Sequence, residues 1–126
     1  MSPECTDYFG IAETILERAE RAFLAEIYES AARDAYLSAL NAARAVVFEK
    51  TEIAVKTHAG ARAKLFELIH DGLAFDETVA KFLSEGFDVK QSLDYGPEIV
   101  LVDRTRAEIF IARAKAFIAE ARKVCA

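Results

Sequence analysis

The sequence predicts an all-α protein, an up-and-down bundle of four to five helices forming a single domain over residues 1–126. Three observations predict it. Apolar residues recur at three- and four-residue intervals along most of the chain, the spacing that turns one face of a helix into a core. Helix breakers are scarce, with five Gly and two Pro in 126 residues. Thr57, Asp76 and Asp103 each stand directly before a periodic run, where a side-chain oxygen can accept from the first free N–H groups of a helix. A chain of this length can bury a core without disulfide or metal staples.

The elements follow in order. Ile11, Ile15, Leu16, Ala19, Ala22 and Phe23 form an apolar stripe on a first helix at about 4–26. No Gly or Pro separates it from a second helix at about 30–50, so the break is placed near Ile27–Tyr28. In that second helix Ala31, Ala35, Ala39 and Ala42 make a small-residue stripe, which suits a helix packed in the middle of a bundle. The β-branched Thr51, Ile53 and Val55 predict an extended run through Lys56. Thr57 caps a third helix running through Asp71, with Gly72 at the C′ position. Asp76 caps a fourth, carrying Val79, Phe82, Leu83, Val89 and Leu93, with a kink expected at Gly86. Gly96–Pro97 ends it, Glu98 to Val102 crosses over, and Asp103 caps a last amphipathic helix with Phe110, Ile111, Phe117 and Ile118 inward.

Composition excludes several classes. A charged fraction of 29% beside 53% hydrophobic residues argues against a disordered chain. No segment approaches the roughly 20 apolar residues of a membrane span, and Met1 to Gly10 lacks the features of a signal peptide. A cytoplasmic protein with no membrane partner is the expectation. Cys5 and Cys125, near opposite ends, read as two free thiols. A net charge of −5 argues against avid nonspecific nucleic-acid binding but not against a local basic cleft.

Most catalytic signatures are missing. The five glycines are isolated, so no phosphate-cradling loop is present. Glu67 and His70 have the Glu-x-x-His spacing of a di-iron ligand pair, but such sites need a second motif and two more inward carboxylates. With His58 and His70 the only histidines, neither a functional metal nor a cofactor is expected.

The stretch Ala31 to Val47, AARDAYLSALNAARAVV, resembles the second helix of the small prokaryotic HEPN proteins, and Ala42-Ala43-Arg44-Ala45 keeps its Ala-Ala-Arg-Ala sequence. Lys56-Thr57-His58-Ala59-Gly60 looks like the Lys-Thr-His-Ser-Gly that opens the family's third helix. Asp94-Tyr95-Gly96 looks like the Asp-Tyr-Gly ending its fourth. The resemblance covers about residues 27–125 and implies a four- or five-helix bundle, usually a homodimer. Its members are often encoded beside a minimal nucleotidyltransferase as a toxin–antitoxin pair. Active members of the superfamily are metal-independent endoribonucleases with an Arg followed four to six residues later by a His near the dimer cleft. The guanidinium stabilises charge on the attacked phosphate, and the imidazole moves the 2′-hydroxyl proton near neutral pH.

This sequence departs from that signature. From Asp88 to Tyr95 there is neither Arg nor His; Lys90 stands about where Arg is usual, Asn41 where relatives often have His, and Asp34 where they have Arg. The expected function is therefore a toxin–antitoxin component that binds RNA, nucleotide or a nucleotidyltransferase, with weak or absent catalysis. An active endoribonuclease and a structural dimerisation module are the alternatives. Tyr36, Asn41, Arg44 and Lys90 are the candidate RNA- or nucleotide-binding residues, and His58, Lys90, Asp94 and Tyr95 the candidate catalytic ones. Each has a plainer reading. Lys90 and Asp94, four apart, suit a surface ion pair; Tyr95 suits a packed aromatic with its hydroxyl at the rim. His58 suits a hydrogen-bonded helix-start histidine, Arg44 an ion pair, and Tyr36 the core.

Overall fold

The structure, a computed structural model, describes residues 1–96 and 101–126. Its elements are α1 (Pro3–Leu24), α2 (Tyr28–Thr51), α3 (His58–His70), the single turn α4 (Glu77–Ala80), α5 (Phe82–Tyr95) and α6 (Arg104–Cys125). The described residues contain no strand. The all-α bundle predicted from the sequence is the fold. The crossover expected from Glu98 and the stop at Pro97 lie outside the described residues, but α5 does end at Tyr95 and Asp103 does cap α6, accepting from Arg106 N at 2.8 Å.

The α1–α2 break falls where it was expected, by a device that the absence of Gly concealed. Glu26 takes a left-handed φ of 62°. Glu26 N donates to Phe23 O and Ile27 N to Ala22 O, the two bonds of a Schellman turn. Gly72, with φ 109°, closes α3 in the same way, Leu73 N donating to Leu68 O. Thr57 and Asp76 cap α3 and α4 through Gly60 N and Val79 N.

α2 is the hub, packing against α1, α3, α5 and α6. Its alanine stripe Ala31, Ala35, Ala39 and Ala42 is fully buried, and without bulky side chains between them the neighbouring helices come close. α1 and α6 run antiparallel: Glu13 pairs with Arg122 and Glu20 with Lys115, residue numbers rising on one helix as they fall on the other. α6 also receives Phe75, whose ring centroid lies 5.1 Å from that of Phe117, and Phe82, edge-on to Phe110 at 5.1 Å.

Two local expectations need correction. The β-branched stretch does not begin at Thr51: α2 continues through it, with the Thr51 hydroxyl donating to Val47 O at 2.7 Å. Glu52, left-handed at φ 59°, then turns the chain out. Nor does the fourth helix kink at Gly86. It breaks five residues earlier, at Lys81, and α5 runs unbroken through Gly86. Gly86 serves a contact instead: a Cβ placed there would lie 2.6 Å from Tyr36 Cδ1, so its missing side chain lets α5 sit on the Tyr36 ring.

Candidate functional site

α2, α3 and α5 bring their polar residues together around one hydrogen bond. Tyr36 of α2 is 1% exposed, and its hydroxyl lies 3.1 Å from Nδ1 of His58, the first residue of α3. Burial pushes the Tyr36 phenol up to about 12, with the charges of Arg62 and Arg44 opposing. The phenol therefore keeps its proton, and the His58 tautomer sets which of the two groups donates in this bond. Phe87 of α5 closes the pair edge-on, its centroid 6.3 Å from Tyr36 and 6.1 Å from His58.

Cations surround this aromatic cluster. The Arg62 guanidinium, one helical turn after His58, sits 4.7 Å from the Phe87 centroid. Arg44 donates to Asn41 Oδ1 and to Lys56 O, each at 3.3 Å, while its buried Nε has no partner among the described residues. Asn41 is itself anchored through Leu37 O at 2.9 Å, so it orients Arg44. Lys90 of α5 pairs with Asp94 at 2.6 Å, and Arg33 of α2 reaches the same carboxylate at 2.9 Å. The lysine's hydrogen bond leads in holding the Asp94 carboxyl below its usual range; burial opposes it, and the Arg33 charge adds to it.

The sequence candidates thus divide. Tyr36, Asn41, Arg44, His58 and Lys90 are brought into one cluster, and Asp94 joins it as the counter-charge. Tyr36 has the core position of its plainer reading, with no ring face left for a stacked base. Arg44 lies against a carbonyl and an amide oxygen rather than in the carboxylate pair of its plainer reading. Tyr95 is not packed: it ends α5 with 75% of its surface exposed, and Lys90 lies 5.8 Å from its ring centroid. Asp34, where relatives carry Arg, is held by both nitrogens of an Arg18 fork at 3.0 Å. Arg62, Phe87 and Arg33 were missed. Arg62 was legible as the residue four after His58 on one helix face; Arg33 meets Asp94 from 61 positions away, which no local pattern carries.

His58 is held below the ordinary histidine value of 6.5, first by burial and then by the charges of Lys90 and Arg44. The unfolded chain then binds its proton at higher pH than the folded one, so stability rises with pH between the folded value and 6.5. It is lost as pH falls below 6.5. The melting temperature should be level at neutral pH, decline through that window, and decline less in His58→Gln. Thermal scans at constant ionic strength check this, and equal slopes in both proteins would refute it.

The arrangement is a helical bundle with a cluster of cationic and aromatic side chains where α3 and α5 meet its central helix. Sequence comparison gives that class its family: a model of the HEPN domain matches residues 6–124, and the chain belongs to the HEPN domain family. Among curated proteins, none matches it. No helix of the described residues is long and apolar enough to cross a membrane, and no three His, Cys, Asp or Glu among them group as a metal site.

Proposed function

We propose that this HEPN protein binds RNA or a nucleotide through phosphate at the α2–α3–α5 cationic cluster, with weak or absent cleavage. In that reading it is a toxin–antitoxin component that works as a homodimer and takes a minimal nucleotidyltransferase as partner. One observation carries it. In a chain of net charge −5, Arg44, Arg62 and Lys90 lie around the Tyr36–His58 pair, Arg33 joins them through Asp94, and Asp94 is the one carboxylate paired with any of the four among the described residues. Such a cluster is costly to assemble without an anion to receive. The arginines present forks suited to phosphate oxygens.

Weak catalysis follows from the same geometry. One ring nitrogen of His58 is engaged by Tyr36, and Asp88 to Tyr95 supplies no second imidazole. General acid–base catalysis typically contributes 10²–10⁴-fold, so single-stranded RNA in EDTA should be cut slower by about that factor than by a HEPN nuclease with its Arg and His intact. Anisotropy with a short labelled single-stranded RNA or a nucleotide should still show salt-sensitive binding. Binding of neither would reduce the protein to a dimerisation module. Rapid EDTA-resistant cleavage abolished by His58→Ala would establish the endoribonuclease alternative, which the reach of the Lys90 charge to His58 favours.

The homodimer has support in apolar surface left outside the core. Ile11 is 46% exposed beside half-buried Ile15 on α1, and Leu24 and Ile27 at the α1–α2 turn are exposed as well. Such residues suit a symmetric interface. Sedimentation should give twice the monomer mass at micromolar concentration; a monomer there would defeat this part of the proposal.

A further inference from the structure

Cys5 and Cys125 lie near opposite ends of the sequence, yet the antiparallel α1–α6 register brings them together. Arg122 lies over the Phe9 ring, 4.7 Å from its centroid. One turn back along α1 and nearly one turn on along α6, the same register reaches Cys5 and Cys125. Both side chains are fully buried. The Cys5 thiol donates to Ala45 O and Glu49 Oε2, each at 3.4 Å, and burial first, then the nearby Cys5, hold the Cys125 thiol protonated. Two neighbouring buried thiols, in no metal-binding group among the described residues, form a dithiol.

We infer that Cys5 and Cys125 form an intramolecular disulfide when the protein meets a small-molecule disulfide such as oxidised glutathione, tying the first turn of α1 to the last turn of α6. Cys5 attacks first. It sits in the first turn of α1, where the helix dipole favours a thiolate, whereas Cys125 sits in a last turn, where the dipole opposes one. The Cys5 sulfur displaces one glutathione as its thiol and forms a mixed disulfide. The Cys125 sulfur then attacks the Cys5 sulfur, the second glutathione leaves as its thiol, and the protein disulfide closes. Two electrons pass from the two cysteines to the glutathione sulfurs, and the two thiol protons end on the departing glutathiones.

Burial raises both thiols, Cys125 to about 12, so few thiolates are present at neutral pH and the exchange is slow. It also needs the helix ends to open, which costs less than opening the centre of the bundle. The pair therefore records sustained oxidation rather than a brief pulse. Its closure spans most of the chain, the case in which a cross-link restricts the unfolded state most. None of this depends on the phosphate-binding reading.

The test incubates the full chain with oxidised glutathione a few degrees below its melting point, so that the ends open. The expected product is about 2 Da lighter than the reduced chain. A non-reduced digest should link the Cys5 and Cys125 peptides, and the melting temperature should rise by about 10 °C, reversed by dithiothreitol. Cys125→Ala should instead retain glutathione on Cys5 with no such rise, and Cys5→Ala, treated alike, should form no link. A wild-type chain still fully reduced after this treatment would overturn the inference. So would a persistent glutathione adduct on wild-type protein, or a disulfide between two chains.

Discussion

Replacing Arg44 and Arg62 together by alanine should weaken binding to a short single-stranded RNA by about a hundred-fold. A hydrogen bond to a charged group contributes roughly 1.5–3 kcal/mol, and each guanidinium stands ready to make one or two. Arg44 is braced by Asn41 and Lys56 O, its Nε unpartnered among the described residues, and the Arg62 guanidinium lies over the Phe87 ring, 4.7 Å from its centroid. Bracing matters because the ordering of these long side chains is then largely complete before a ligand arrives. The dependence of log affinity on log salt should become shallower by about 1.4, near 0.7 for each lost phosphate contact on a single strand. Arg113→Ala, which breaks an exposed pair with Glu85 on another face, should leave both quantities unchanged. If the double variant binds as the wild type does, the cluster is not the phosphate site.

The largest effect on stability should come from Tyr36→Ala, at about 3–5 kcal/mol. The ring is buried between His58, Phe87 and the bare backbone of Gly86, so its loss opens a cavity at the meeting of α2, α3 and α5. Gly86→Ala should also destabilise, although alanine is the better helix former by about 1 kcal/mol. The new methyl would lie 2.6 Å from Tyr36 Cδ1 and 3.0 Å from Tyr36 Cβ. Overpacking of this kind costs roughly 1–3 kcal/mol, and the ring cannot retreat while His58 and Phe87 flank it. In the Tyr36→Ala background the Gly86→Ala cost should shrink, because the 2.6 Å clash with the ring has gone and only the 3.0 Å approach to Cβ remains. Urea unfolding of the four proteins gives the coupling directly; additive effects would mean that Gly86 is not there for Tyr36.

Much of this could be read along the chain because its causes are local. Apolar periodicity, the caps at Thr57, Asp76 and Asp103 and the left-handed Gly72 act within one or two turns of helix, so they place helices without any knowledge of neighbours. The alanine stripe of α2 told which helix would be central, since small residues at helical spacing have no better use than close approach. Sequence also carried the family resemblance and the absence of Arg and His from Asp88 to Tyr95.

What it could not carry were the pairings made across the bundle. Gly86 reads as a weak point in a helix until Tyr36 is found above it. Asp94 reads as a local partner of Lys90 until Arg33 arrives from α2. His58 and Arg62 became part of one cationic cluster only when α3 was laid beside Tyr36 and Phe87, and Cys5 met Cys125 only through the antiparallel packing of α1 and α6. The physical reason is the same in each case. A helix's own hydrogen bonds decide that it forms, but which of its faces meets which neighbour depends on how all the helices share one buried surface.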